Sequence, residues 1–141
     1  MTKRIVVDSC VALKWFLLEE HSDRARSLLD AGPLLVAPDI VLVEIANGLW
    51  KNERLGRVPT VLAMESLAAA PGLIDEFVSS ASLLPEAAGL ARSLDHPVYD
   101  CLYVAAARKL GVNLVTTDAK LLAKLKAKRD RTAINLAKWK P

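Results

Sequence analysis

A chain of 141 residues fits one domain and can bury a hydrophobic core without disulfides or metals as staples. At 52% hydrophobic and 25% charged it is too apolar for a disordered chain, and it is rich enough in apolar residues to expect surface buried against a partner. Nineteen basic against sixteen acidic residues give a net +3 and a modest attraction to polyanions.

In chain order, the β-branched run "KRIVVD" reads as a buried strand ending at Asp8, followed by a helical stretch. Residues 22–31, "SDRARSLLDA", read as a helix capped by Ser22 and stopped by Gly32 and Pro33 before a second strand, "LLVAP". Strand, helix, strand is the unit of a parallel sheet. The stretch "IVLVEIANGLWKNERLG" carries a helical stripe ended by Gly56, and a further helix is expected from Pro59 to about Ala70, broken by Pro71 and Gly72. "LIDEFV" makes a third strand, and "PEAAGLARSLD" a helix with Pro85 near its first turn. "VYDCLYVAAARKLG" is a helix stopped by Gly111, and "VNLVTTD" a fourth strand ending at Asp118. In "AKLLAKLKAK", Leu121, Leu122 and Leu125 face inward while Lys120, Lys124 and Lys128 form an outward row; "TAINLA" is a last strand. The expectation is a single domain over residues 1–141 with five strands alternating with helices, an α/β sandwich around a mainly parallel sheet.

No apolar stretch reaches the ~18 uninterrupted residues of a membrane span. The N-terminus lacks the pattern of a signal peptide, so a soluble, cytoplasmic protein is expected. Cys10 and Cys101 match neither a zinc spacing nor a disulfide framework and read as two small buried thiols.

Four acids interrupt apolar surroundings. Asp8 and Asp118 close strands, Glu44 sits inside "IVLVEIANGL", and Asp100 sits inside "PVYDCLYVAAA" with no capping role so far from a helix end. Singly, each has an ordinary explanation: Asp8 or Asp118 as a helix cap, Glu44 as a paired core charge, Asp100 as a partner of Tyr99 or Tyr103. Together they point elsewhere. Carboxyl ends of parallel strands face the crevice where ligands bind, so neighbouring first and fourth strands would bring Asp8 and Asp118 together, with Glu44 and Asp100 projecting from flanking helices. Two like charges 4 Å apart repel by about 4 kcal/mol at an effective dielectric of 20, so either the pKa values rise or a cation joins them. An all-oxygen set suits magnesium or manganese better than zinc. His96, a lone histidine before a proline, reads as a loop residue rather than a general acid.

At "VVDSCVALKWF", "VEIANGLWK", "PVYDCLYVAAA" and "LVTTDAKLL" the sequence resembles the PIN-domain ribonucleases, most closely the VapC toxins of toxin-antitoxin pairs. The resemblance spans most of the chain, with the four acids in the family's order. It implies a PIN-like five-stranded parallel sheet flanked by helices, a magnesium- or manganese-dependent endoribonuclease, inhibition by a VapB-like antitoxin, and a homodimer. It also implies Asp8, Glu44, Asp100 and Asp118 as the catalytic acids, with Thr116 and Ser9 as polar neighbours. Asp8, Asp118 and Asp100 are expected to hold the metal. Asn47, one helical turn after Glu44, is a candidate for orienting that carboxylate.

Apart from the four acids, twelve acidic residues face nineteen basic ones, so the surface outside the pocket is effectively +7. The excess concentrates near the C-terminus, where Lys120, Lys124, Lys128, Arg129 and Arg131 are candidate RNA contacts. A phosphotransferase with an aspartyl nucleophile would want a second acid at position 10, which is Cys10. The remaining alternative is a catalytically silent module: an RNA-binding one predicts loss of at least one acid, and none is missing, while a dimerisation one leaves the four acids without a reason.

Overall fold

Short β-branched runs alternate with helices along the computed structural model, which describes residues 3–141. The elements are β1 (Arg4–Val7), α1 (Ser9–Leu13), α2 (Ser22–Asp30), β2 (Leu34–Pro38), α3 (Val41–Arg54), α4 (Thr60–Leu73), β3 (Glu76–Val78), α5 (Ser80–Leu94), α6 (Val98–Leu110), β4 (Leu114–Thr116), α7 (Ala119–Ala127) and β5 (Ala133–Asn135), followed by a 3-10 turn at Leu136–Lys138. The sheet order is β3-β2-β1-β4-β5, and every pairing is parallel. Strand order therefore reverses at β1, with β2 and β4 on its two sides, which is where an open α/β sheet forms its binding crevice.

Both faces of the sheet are covered, so the central strands are apolar throughout rather than alternating. Val6, Val7, Val36, Leu114 and Val115 are fully buried. Helix α6 packs on β1 and β2, and its residues Cys101–Ala107 are all buried. That stretch pairs small alanines with the large Tyr103, which lets the helix sit close to the sheet while one long side chain reaches the far end of the crevice. Gly111 ends α6 in the left-handed region at φ 66°, where a side chain would be strained.

The expected five-stranded, mainly parallel sheet is present, with every pairing parallel. Several local expectations are corrected. Ser22 does not cap α2: His21 occupies the cap at φ 65°, while the Ser22 hydroxyl donates to Leu17 O and accepts from Glu19 N. Pro71 and Gly72 do not break α4, which runs to Leu73, because a proline in the last turn removes only one intrahelical bond. Helix α5 starts at Ser80, capped by Ser79, so Pro85 lies in its second turn. The third strand is confined to Glu76–Val78, while Asp75 ahead of it pairs both its N–H and its carboxylate with Leu35. Leu122 is only half-buried, unlike Leu121 and Leu125.

Candidate functional site

Two acids stand at adjacent strand ends. Asp8 follows β1 and is the N-cap of α1; Asp118 follows β4 and is the N-cap of α7, its Oδ1 accepting from Leu121 N at 3.1 Å. The capping explanation is therefore correct for both, but each leaves a second carboxylate oxygen for the crevice. Thr116, buried at the end of β4, joins them: its hydroxyl donates to Asp8 Oδ2 at 2.6 Å and accepts the Asp118 N–H at 3.0 Å. Ser9 Oγ adds a longer bond to Asp8 Oδ1 at 3.4 Å.

The other two acids come from helix N-termini. Glu44 lies in the first turn of α3 and Asp100 in the first turn of α6, closer to a helix end than the sequence suggests. Each carboxylate thus sits where the helix dipole favours negative charge, worth roughly 0.3–1 kcal/mol apiece at exposed sites. The Tyr103 hydroxyl, one turn along α6 from Asp100, donates to Glu44 Oε1 rather than to Asp100. His96 precedes α6 and is buried, with Nε2 3.0 Å from Asp100 Oδ2 and 3.2 Å from Asp118 Oδ2. One ligand atom from each of His96, Asp100 and Asp118 lies within 4.8 Å of the others.

Burial, with the neighbouring carboxylates adding to it, pushes three of these acids upward. Asp8, almost fully enclosed, is raised by desolvation, against which the bond from Thr116 acts, with a further rise from Asp118. Glu44 is raised by burial and by Asp8 and Asp100, while Tyr103 and Ser9 lower it as donors. Asp100 is raised by burial, Asp8 and Asp118, and lowered by His96. Among the described residues no lysine or arginine pairs with any of the four; His96 Nε2 is the nitrogen that meets Asp100 and Asp118. A concentration of negative oxygens without matching basic side chains, held by rigid strand and helix ends, fits a hard divalent cation.

Beside the acids, a cavity of about 620 Å³ between α1 and α3 is lined by Ser9, Cys10, Glu44, Asn47, Lys51 and Thr117 among others. Cys10 is half-buried rather than buried; it accepts from Thr117 Oγ1 at 3.1 Å, and burial, reinforced by Asp8, pushes its thiol up to about 12. Cys101 is buried as expected, its thiol pushed up by burial to about 11.

Asp8 lies within electrostatic reach of Glu44, Asp100 and Asp118, and Thr116 and Ser9 are hydrogen-bonded to it, so these six residues form one group. Asn47 lines the adjoining cavity but makes no hydrogen bond to Glu44, whose partner is Tyr103. Lys120 on α7 and Lys128, Arg129 and Arg131 beyond it are exposed. Lys124 is not part of their outward row: it is half-buried, donates to Asp95 O and lies 3.3 Å from His96 Nδ1. His96 and Tyr103 are the site residues the sequence undervalues. Their signal is positional: His96 lies four residues before Asp100, just ahead of α6, and Tyr103 lies one turn after it on α6.

A family model of the PIN domain matches residues 5–128. The chain is 32% identical over 130 residues to Ribonuclease VapC3 of Pyrobaculum aerophilum, covering 88% of this chain and 96% of that protein. The crystal structure of PAE2754 from the same organism matches with a TM-score of 0.75 and 26% identity, over 97% of this chain and 92% of that one.

Proposed function

We propose a function for this chain, which belongs to the PIN-domain family: it is a VapC-type endoribonuclease toxin that hydrolyses RNA phosphodiester bonds with Mg²⁺ or Mn²⁺. The observation that carries the reading is the convergence of Asp8, Glu44, Asp100 and Asp118 on one crevice, where three of the four are pushed above their ordinary carboxylate values.

Asp8, Asp118 and Asp100 hold the metal, and Glu44 completes the acidic site. A bound divalent ion supplies charge to offset a phosphate and acidifies a water ligand. The chain's own residues do the positioning. Thr116 fixes Asp8 and the Asp118 backbone in one arrangement, so the two strand-end carboxylates present themselves with little reorganisation. Tyr103 aims the Glu44 carboxylate from the opposite helix. Ser9 bonds Asp8 and lowers Glu44 as a donor, while Asn47 faces the adjoining cavity and is available to substrate.

RNA is drawn in by the basic surface. Lys120, Lys128, Arg129 and Arg131 are exposed, and a cavity of about 720 Å³ along α7 and β5 is lined by Lys126, Arg129, Arg131 and Lys138. These groups track a phosphate backbone while the acids act on one bond of it.

Residues 1–141 act as one PIN-like domain whose partners are a VapB-like antitoxin and a second copy of the chain. Helix α4 is apolar on nearly every side and exposes Val61, Leu62, Met64 and Leu67; α3 adds Val43 and Trp50. Together they form the unpartnered surface such contacts would cover. No described helix is long and apolar enough to cross a membrane. Two free thiols agree with the reducing cytoplasm, where we place the protein.

The test is purification without antitoxin and incubation with total RNA plus Mg²⁺, Mn²⁺ or EDTA, beside Asp8→Asn. Metal-dependent cleavage abolished by the variant is expected. Cleavage that persists in both EDTA and the variant overturns the metal mechanism.

A further inference from the structure

His96 stands within bonding distance of two carboxylates assigned above to the metal, which makes it either a nitrogen ligand or a device that orients oxygen ligands. The two roles need opposite tautomers. A metal-ligating nitrogen is bare, and the other ring nitrogen then carries the proton. An orienting nitrogen carries the proton itself.

The surroundings of the other nitrogen decide between them. Lys124 Nζ lies 3.3 Å from His96 Nδ1 and is anchored by donating to Asp95 O, the carbonyl of the residue that ends α5. An ammonium has donors and no acceptor, so Nδ1 is the acceptor in that contact and the ring proton resides on Nε2. Nε2–H then points between Asp100 Oδ2 at 3.0 Å and Asp118 Oδ2 at 3.2 Å. The ring has little freedom to turn. It is buried, its backbone N–H bonds Ala91 O, and its carbonyl lies 3.8 Å from the Cys101 thiol.

We propose that His96 is a positioning residue, held in its Nε2–H tautomer by Lys124, which ties together Asp100 and Asp118 so that their remaining lone pairs face the metal. The inference rests on the metal-dependent reading of the acidic site. It gives Lys124 a different task from the exposed lysines around it: Lys124 acts on the site through the imidazole, not on RNA. It also gives a reason for a buried histidine next to a site otherwise made of oxygens.

The experiment is ¹⁵N-histidine NMR on the whole chain, metal-free and with Mg²⁺, together with Mg²⁺ and Mn²⁺ titration calorimetry on wild type, His96→Ala, His96→Gln and Lys124→Met. The chain has two histidines, so His21→Asn assigns the spectrum. The expected result is a protonated Nε2 and a bare Nδ1, with and without Mg²⁺. Metal affinity should fall about 10–100-fold in His96→Ala, the usual effect of removing an orienting partner. It should recover largely in His96→Gln, whose amide N–H replaces Nε2–H. Lys124→Met should weaken the tautomer preference and lower affinity while the acids remain unchanged.

A bare Nε2 in the Mg²⁺-loaded protein makes His96 a ligand and overturns the proposal, as does protonation of both nitrogens. Undiminished metal binding by folded His96→Ala overturns it too, with the metal reading intact. Absence of Mg²⁺ and Mn²⁺ binding by wild type overturns the metal reading and this inference together.

Discussion

The Thr116 hydroxyl donates to Asp8 Oδ2 at 2.6 Å across the β1–β4 pair, and its oxygen accepts the Asp118 N–H, so one buried side chain sets the separation of two strand-end acids. Thr116→Val keeps the shape but removes both bonds. Leaving a buried donor or acceptor unsatisfied costs about 1–3 kcal/mol. For a domain of this size that lowers Tm by roughly 2–4 °C per kcal/mol. Thermal denaturation should show this loss, with cleavage reduced beyond it, and Thr116→Ser should restore both. A fully stable, fully active Thr116→Val would show that the hydroxyl orients nothing.

Asp8→Asn separates stability from function. Burial disfavours the Asp8 charge, and Asp118 adds to the penalty. The amide removes that charge while retaining an oxygen that can accept from Thr116. The metal-free variant should therefore melt above wild type. It should show no stabilisation by Mg²⁺ and no RNA cleavage. A metal-free variant less stable than wild type would mean that the charged carboxylate contributes to the fold in some way other than holding an ion.

The same shifts fix the sign of the pH dependence. Asp8, Glu44 and Asp100 have folded pKa values above their unfolded ones, so the folded protein holds their protons more tightly. Their contribution to metal-free stability is fully present below the ordinary carboxylate range and is lost as pH rises through the raised folded values. Stability in EDTA should accordingly fall over that window, with urea midpoints as the measure. Saturating Mg²⁺ binds the deprotonated form and should flatten or reverse the slope. Identical pH profiles with and without the ion would count against carboxylate ligation.

Much of this site is written in local sequence. Asp8 and Asp118 each end an apolar β-branched run and begin a helix, and that transition fixes their place at the carboxyl edge of a parallel sheet. Helix boundaries were less legible, and with them the setting of Glu44 and Asp100, because the helix starts depend on Ile40 and Pro97, neither of which offers a side-chain cap. His96 was obscured for a related reason: its partners include Asp118 and Lys124 from another element, and no periodicity reports a contact across 22 or 28 residues. Pro71 reads locally as a helix breaker and Pro85 as a first-turn residue, but tertiary packing of α4 on α3 and α5 on α6 outweighs a single missing N–H.

Tyr103→Phe tests the helix-to-helix link. The phenol donates to Glu44 Oε1, and both the burial and the neighbouring acid push the Tyr103 hydroxyl upward, so it stays a donor at all ordinary pH. Phenylalanine fills the same volume and removes one bond, worth about 1.5–3 kcal/mol when the partner is charged. Glu44 is half-buried and can recover part of that loss from water. The expected outcome is a small fall in Tm with cleavage reduced about tenfold, as for other orienting partners of site carboxylates. Unchanged cleavage would remove Glu44 orientation from the mechanism.

The basic surface makes a prediction that is independent of the acids. Binding that releases counterions from single-stranded RNA has a log–log salt slope of about −0.7 per phosphate contact. Lys120, Lys128, Arg129 and Arg131 are exposed, and each should contribute close to one such contact, whereas Lys124 is engaged by Asp95 and His96 and should contribute none. Replacing the four exposed residues with glutamine in an Asp8→Asn background, which binds without cutting, should make the slope shallower by up to about 3. Lys124→Gln in the same background should leave it unchanged. If the four-residue variant keeps the wild-type slope, RNA approaches the acids by another face, and the positive excess near the C-terminus serves only solubility.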